Sequence, residues 1–197
     1  MRNIVYNLFK QLAVKVGLPL RWKYLTKRLS PYLKNSGRVL DVGASCGTLA
    51  CELSKDIPEA KFEGVDVYLQ PESFIPVTKY DGKNIPHPGD SFDCVMLIDV
   101  LHHDNNPEEV LREAKRVSRK YILIKDHYWD NEVDFTLLKV VDYAGNKPCG
   151  VRLPYNFMKI NEWNGMFNRT DLKTRKIEKF RYNAVDPCKH VIYLLEK

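Results

Sequence analysis

Apolar residues recur along the first third of the chain with a helical period. Over residues 3–17 they lie three or four positions apart, which predicts an amphipathic helix that ends at Gly17-Leu18-Pro19. A second helix is predicted from about residue 20 to residue 33, and Asn35-Ser36-Gly37 is expected to form a turn. The chain therefore opens with an N-terminal helical extension, over residues 1–34.

From Arg38 onward, short apolar runs alternate with segments of helical period. Residues 92–99 form a continuous apolar run, typical of a central strand that is buried on both faces. The alternation predicts an α/β fold with βαβ units, a mostly parallel sheet and helices on both faces. The predicted strands cover 38–42, 61–67, 75–80, 92–99 and 121–125, and the predicted helices cover 47–55 and 107–118.

The regular alternation of predicted strands and helices stops after Asp126. A helix is predicted over 133–143, and two closing strands over 175–182 and 190–195, but residues 144–170 show no clear period. A long irregular segment inside a compact domain is usually a lid or a binding loop. We therefore expect one domain over residues 1–197, with a ligand-binding insertion over residues 128–172.

Charge is distributed unevenly along the chain. The net charge is +6, yet residues 1–40 contain nine Lys or Arg residues and no Asp or Glu. This asymmetry suggests an anionic partner such as a membrane surface, a nucleic acid or an acidic substrate, and the alternative is a solvated helical face. Without a membrane span or a secretory signal, and with five scattered cysteines that form no C-x-x-C pair, we expect a cytoplasmic protein without a zinc site.

The segment VLDVGASCGTLA, residues 39–50, contains the clearest ligand-binding motif of the sequence. It reads as a strand, a glycine-bearing turn and the start of a helix, which is where an open α/β sheet binds ligands. Gly43 and Gly47 permit close backbone approach, and Asp41 suits a cationic group better than a pyrophosphate. Asp66 ends the second strand and can bind ribose hydroxyls, and Asp81 follows the third strand and can bind an adenine amine. Together these acids describe a nucleoside attached to a cationic amino acid.

These motifs, with GVDVY at 64–68 and the segment 80–117, resemble class I S-adenosylmethionine-dependent methyltransferases, especially the small type 11 group. The resemblance implies a Rossmann-like seven-stranded sheet in the order 3-2-1-4-5-7-6 with the last strand antiparallel, and S-adenosylmethionine as the cofactor. It also implies that the methionine part of the cofactor contacts Asp41, Gly43 and Gly47, that Asp66 holds the ribose, and that Asp81 with Gly82 holds the adenine. Leu101 and His102 would line the cofactor from the other side. Ser45 and Val67 are further expected cofactor contacts. Asp99 would lie near the methionine ammonium or the transferring methyl. Ser45 departs from the family, which has a glycine there.

Candidate bases follow the fourth and fifth predicted strands. A base is needed only if the acceptor must lose a proton, and we consider His127, Asp99 and His103 as catalytic candidates, with His102 and Asp126 nearby. The alternative for the two adjacent histidines is a structural role in the turn. Because neighbouring side chains diverge, we expect no metal site at this pair.

The preferred function is methyl transfer to a small-molecule acceptor of aromatic, quinone-like or lipid character. Residues 147–157 with Trp163, and Tyr143 and Trp129 nearby, would form an aromatic acceptor pocket, or else a hydrophobic cluster that pins the loop. The alternatives are a nucleic-acid (RNA) methyltransferase, although the sequence signatures of such enzymes are missing and no nucleic acid is expected, and a non-catalytic partner protein. The basic N-terminal helix would act as a lid over the cofactor or as a peripheral membrane contact.

Overall fold

The computed structural model describes residues 18–147 and 150–197. The helix predicted over residues 3–17, with its lid and membrane roles, lies outside them. The strands are β1 (Arg38–Val42), β2 (Lys61–Asp66), β3 (Val77–Lys79), β4 (Phe92–Ile98), β5 (Ser118–Tyr128), β6 (Lys173–Phe180) and β7 (Lys189–Glu196). The helices are α1 (Leu18–Leu33), α2 (Thr48–Asp56), α3 (Pro107–Val117), α4 (Glu132–Asn146) and α5 (Ile160–Arg169), with a 3-10 turn at Leu101–His103.

The seven strands form one sheet in the order β3-β2-β1-β4-β5-β7-β6. Neighbours among β1 to β5 pair in parallel, whereas β7 is antiparallel to both β5 and β6. The fold class and strand order expected from the sequence are thus confirmed. Because β1, β2, β4 and β5 run in the same direction, their carboxyl ends meet at one edge of the sheet, and residues distant in the chain come together there.

The core has one layer on each face of the sheet, because successive strand residues point to opposite faces. On β1, Val39 packs with the buried leucines of α1 and α2, and Leu40 packs on the other face with α3 and α5. The α4 helix lies outside both layers and buries only Leu138 and Asp142. Among the described residues, no helix is long and apolar enough to cross a bilayer.

Two local predictions need correction. The β5 strand extends beyond the predicted 121–125, since antiparallel pairing with β7 continues through Tyr128. Residues 144–170 are not wholly irregular, because α5 forms there and buries its apolar face in the core.

Candidate active site

The turn between β1 and α2 is close-packed around its glycines. Gly43 and Gly47 have φ angles of 76° and 74°, and a Cβ on Gly47 would lie 2.3 Å from Ile75 Cγ1. A Cβ on Gly43 would lie 2.6 Å from Val100 Cγ2. Ser45 also adopts the left-handed conformation, with φ 52°, so it preserves the backbone shape that a glycine would take more easily.

Asp66 connects this turn to the loop that follows β2. Its Oδ2 accepts a hydrogen bond from the Ser45 amide at 2.7 Å, and its Oδ1 accepts one from the Tyr68 amide at 2.9 Å. Each carboxylate oxygen can accept further hydrogen bonds, as a ribose diol requires. The loop also presents exposed apolar side chains, namely Val67, Tyr68, Leu69 and Phe74. An exposed apolar strip beside Asp66 suits the planar base of a nucleoside.

Asp81 organises its own turn. Its Oδ1 accepts hydrogen bonds from the Asn84 and Lys83 amides, and its Oδ2 accepts one from the Asn84 side chain at 2.8 Å. These bonds, those of Asn84 first, lower the pKa of Asp81 to about 2. Gly82 follows with a φ of 83°, and a Cβ there would lie 3.3 Å from Val67 Cγ1. Gly82, a predicted adenine contact, therefore lies against Val67, which is also a predicted cofactor contact.

Asp41 is a buried acid next to another acid. It is 5% exposed, and burial together with the charge of Asp66 raises its pKa to about 7. A buried carboxyl under like-charge repulsion is stabilised by a cationic ligand. This observation, with the glycine cradle and the apolar strip, shows that the residues present fit S-adenosylmethionine, whose ammonium group and sulfonium are cationic.

Asp99 is held between two cations. It follows β4 with a φ of 57°, its Oδ1 accepts from Lys125 Nζ at 2.6 Å, and its Oδ2 accepts from Arg21 of α1. Although burial opposes ionisation, Lys125 and Arg21 hold the pKa of Asp99 well below its usual range. A carboxylate stabilised in this way is a poor proton acceptor, so the geometry argues against Asp99 as a base. It anchors α1 to the carboxyl edge of the sheet instead.

Four of the five histidines gather beside Asp99, at the ends of β4, β5 and β7: His102, His103, His127 and His190. His102 Nδ1 lies 2.6 Å from Asp126 Oδ1, and the His102 ring stacks on Phe157 with centroids 4.8 Å apart. His127 on β5 is paired with His190 on β7 in the strand register, and their ring centroids are 4.6 Å apart. The predicted base candidates are therefore brought into one cluster.

The surroundings shift the pKa values of these histidines in different directions. Burial opposes protonation of His102, but Asp126 overcomes it and raises the pKa of His102. Burial and the neighbouring His102 lower the pKa of His103. Burial and Lys125 lower the pKa of His127 to about 4, so His127 is neutral at pH 7. The Nδ1 atom of His127 has no hydrogen-bond partner within the described ranges.

Adjacent histidines do not diverge here as expected from the sequence. His102 and His103 lie in the 3-10 turn, and their ring centroids are 4.0 Å apart. His103 Nδ1 lies 3.1 Å from the Arg152 carbonyl oxygen, which orients its ring toward the neighbouring imidazole. The premise that ruled out a shared ligand at this pair is therefore wrong.

The predicted acceptor residues separate into two groups. Trp163 is fully buried in the core on α5, which makes it a packing residue. Phe157 and Tyr155 instead pack near Trp129, whose Nε1 donates to the Phe157 carbonyl at 2.9 Å. An apolar groove lies beside them, lined by Thr136, Lys139, Val140, Tyr143, Ala144 and Tyr155. Leu101 is fully buried in the main core, which leaves it a packing role beneath the cofactor turn.

Sequence reasoning missed Arg21, Lys125 and Asp142. Lys125 is a fully buried lysine in an apolar strand, and such a residue signals a charged partner. Asp142 lies four positions after Leu138, which places an acid on the inward stripe of α4. Only Asp142 and Lys125 carried a readable signal, because nothing in the spacing of α1 distinguishes Arg21 from the other basic residues.

Comparisons with known proteins agree with this geometry. A family model described as "Methyltransferase domain" matches residues 17–177. The uncharacterized methyltransferase YcgJ of Bacillus subtilis is 29% identical over 157 residues, covering 73% of this chain but 60% of that protein, so the chain spans less than two thirds of its length.

Two solved structures show the same fold. An S-adenosylmethionine-dependent methyltransferase from Aquifex aeolicus superposes with a TM-score of 0.60 at 20% identity, covering 86% of this chain and 87% of that one. The complex between the Haloferax volcanii Trm112 methyltransferase activator and its proposed methyltransferase gives a TM-score of 0.71 at 13% identity, covering 95% and 94% of the two chains. With the family model matching most of its length, the chain belongs to the methyltransferase-domain family, the class I S-adenosylmethionine-dependent methyltransferases.

Proposed function

We propose that this protein transfers a methyl group from S-adenosylmethionine to a small-molecule acceptor, with His127 receiving the proton that the acceptor loses. The observation that carries the proposal is a neutral, half-buried imidazole at the carboxyl edge of the sheet, next to an aromatic ring and beyond the cofactor turn. The sulfonium of the bound donor supplies an activated methyl group. The protein must therefore mainly align the acceptor and exclude water.

His127 lies beside two carboxylates. Its Nδ1 lies 3.5 Å from both Asp99 Oδ1 and Asp126 Oδ1. These carboxylates favour a protonated ring, but burial and Lys125 outweigh them and lower the pKa of His127 to about 4, so the ring rests neutral and takes up a proton only as the acceptor releases it. The main chain is also fixed, because the His127 amide donates to Asp126 Oδ1 at 2.7 Å and the His127 carbonyl accepts from Trp163 Nε1 at 3.3 Å.

The surroundings of His127 favour an apolar or planar acceptor. Phe157 packs against His127 with ring centroids 5.8 Å apart, and Tyr155 continues from Phe157 toward the apolar groove on α4. Binding sites for small molecules are typically apolar with a few convergent polar groups. This combination supports an aromatic, quinone-like or lipid acceptor.

The basic N-terminal region gives less support to a nucleic-acid acceptor than its composition suggested. Arg21, Arg28 and Arg38 are paired with Asp99, Glu178 and Glu63 within the chain. Paired arginines contribute less to phosphate binding, because their charge is already neutralised.

The four described cysteines, Cys46, Cys51, Cys94 and Cys188, are free thiols, which is compatible with the reducing cytoplasm that we propose as the location.

The test measures S-adenosylhomocysteine formation with phenols, quinone precursors, lipids and total RNA as separate acceptors. We expect turnover with one small-molecule class. With that acceptor, His127→Asn should lower kcat by about 100-fold or more while leaving cofactor affinity unchanged. His87→Asn is the matched control, because His87 lies outside the cluster and packs against Phe92.

Unchanged turnover of His127→Asn with intact cofactor binding would remove His127 from the mechanism. Turnover with RNA alone would replace the small-molecule acceptor by a nucleic acid.

A further inference from the structure

Three side chains converge on one point next to α4, and one of them, His102, is also among the cofactor contacts that the family resemblance implies. The Nε2 atoms of His102 and His103 lie 3.9 Å and 3.8 Å from the same oxygen, Asp142 Oδ1. These distances are too long for hydrogen bonds. They exceed by a few tenths of an ångström the spacing of about 3.4 Å between two ligands of a tetrahedral ion, each of which lies about 2.0–2.2 Å from the ion, so small side-chain rotations would close the site.

Each imidazole is held in place by a partner of its Nδ1 atom, which leaves Nε2 facing Asp142. His102 Nδ1 pairs with Asp126 Oδ1 at 2.6 Å, and His103 Nδ1 pairs with the Arg152 carbonyl at 3.1 Å. A carbonyl oxygen only accepts, so the proton of neutral His103 sits on Nδ1 and the lone pair sits on Nε2. Metal-binding histidines are typically held in this way, with the other ring nitrogen donating to a carboxylate or a carbonyl.

Asp142 is a buried acid that accepts one hydrogen bond from the described residues. It is 8% exposed, and its Oδ1 accepts from the Asn146 side chain at 2.6 Å. Its Oδ2 is buried and accepts no hydrogen bond from residues 18–147 or 150–197. Asp142 also lies near the carboxyl end of α4, where the helix dipole disfavours a negative charge. A buried carboxylate in such a place calls for a cation.

We infer that His102, His103 and Asp142 bind a divalent transition-metal ion of the zinc, cobalt or iron(II) class. Two imidazoles and one carboxylate suit these ions, whereas Mg²⁺ and Ca²⁺ prefer oxygen ligands throughout. Three protein ligands leave coordination positions open for water or for an oxygen atom of a small molecule. The inference goes beyond methyl transfer and does not depend on it.

The neighbouring group of Asp99, His102, Asp126 and His127 also brings ligand atoms close together. It is a poorer metal site, because Lys125 Nζ lies 2.6 Å from Asp99 Oδ1 and Arg21 pairs with the other oxygen. A metal ion there would face two fixed positive charges. Among the described residues, His102, His103 and Asp142 form no salt bridge with a lysine or an arginine.

The experiment titrates tag-free, chelator-treated protein with Co²⁺ and Zn²⁺ in the absence of any methyl donor. We expect one ion per chain with a Kd of about 1 µM or tighter, and a visible Co²⁺ absorption band typical of nitrogen and oxygen ligands. Asp142→Asn and His103→Gln should each weaken binding by about 10-fold or more. His87→Gln, which changes a histidine elsewhere, should leave the affinity unchanged.

The design separates loss of ligand from loss of fold. Asn is isosteric with Asp, so chelator-treated Asp142→Asn should unfold at the same temperature as the wild type or higher. His103→Gln tests the site at a less buried position. The inference is overturned if the wild type binds no stoichiometric ion, or if Asp142→Asn and His103→Gln both bind as tightly as the wild type. Because the readout is metal binding alone, its failure leaves the methyl-transfer proposal standing.

Discussion

At the scale of single residues, Asp41 links stability to pH. An unfolded aspartate titrates at about 3.9, whereas burial and Asp66 raise the folded pKa of Asp41 to about 7. Between these values the folded state binds more protons than the unfolded state, so this group's contribution makes the unfolding free energy fall as pH rises, and the effect levels off above about pH 7. We expect Asp41→Asn to be more stable than the wild type by about 2–4 kcal/mol at pH 8 and nearly equal to it at pH 4.

Denaturant unfolding at several pH values measures this difference. The gain of Asp41→Asn over the wild type should grow from pH 4 to pH 7 and then stay constant. Parallel stability profiles for the two proteins would show that Asp41 does not carry a raised pKa.

At the scale of elements, the start of α2 depends on Gly47. This residue has a φ of 74°, and a side chain there would run into Ile75 of the loop before β3. Gly47→Ala should lower the unfolding free energy by about 1–3 kcal/mol, through backbone strain and displacement of Ile75. The measurement is equilibrium unfolding in denaturant.

Gly145 provides the matched control inside a helix. A Cβ there meets no atom of the described residues within 4 Å, and the residue lies in the last turn of α4. Gly145→Ala should be neutral, or stabilising by about 0.5–1 kcal/mol, because alanine loses less conformational entropy than glycine. Equal effects of the two substitutions would refute the packing argument for Gly47.

At the scale of the whole molecule, the cofactor should stabilise the fold. A ligand that binds only the folded state adds about 2.7 kcal/mol at 100 times its Kd, which for a chain of this length corresponds to a rise in Tm of about 5–10 °C. We expect this rise with S-adenosylhomocysteine, and its loss in Asp66→Ala. Differential scanning calorimetry and calorimetric titration measure the two quantities.

Asp93→Ala separates ligand binding from structural hydrogen bonding. Asp93 Oδ2 also accepts two backbone hydrogen bonds, from Gly37 and Arg38, but at the amino end of β1 rather than at the carboxyl end. This variant should lose stability and keep the full shift in Tm. A normal shift in Asp66→Ala, or a lost one in Asp93→Ala, would place the cofactor elsewhere.

Much of the fold and the cofactor side of the site could be predicted from the sequence, because both depend on local patterns. The apolar runs of β1 and β4 and the helical period of α3 are readable within windows of a few residues. The glycine turn and the acids Asp41 and Asp66 lie in or next to those elements, so their positions at one sheet edge follow from parallel strand order. The resemblance to the family supplied the order itself.

Tertiary structure decided what depends on residues distant in the chain. The α5 helix contains three Asn residues and one Gly, which are poor helix formers, so burial of Trp163 against the sheet rather than local propensity accounts for the helix. The β5 strand is lengthened by pairing with β7, which comes some 70 residues later. Asp142 approaches His102 and His103 because the fold brings α4 next to the 3-10 turn that follows β4. Side-chain convergence of this kind is set by packing across the fold, and no local period in the sequence encodes it.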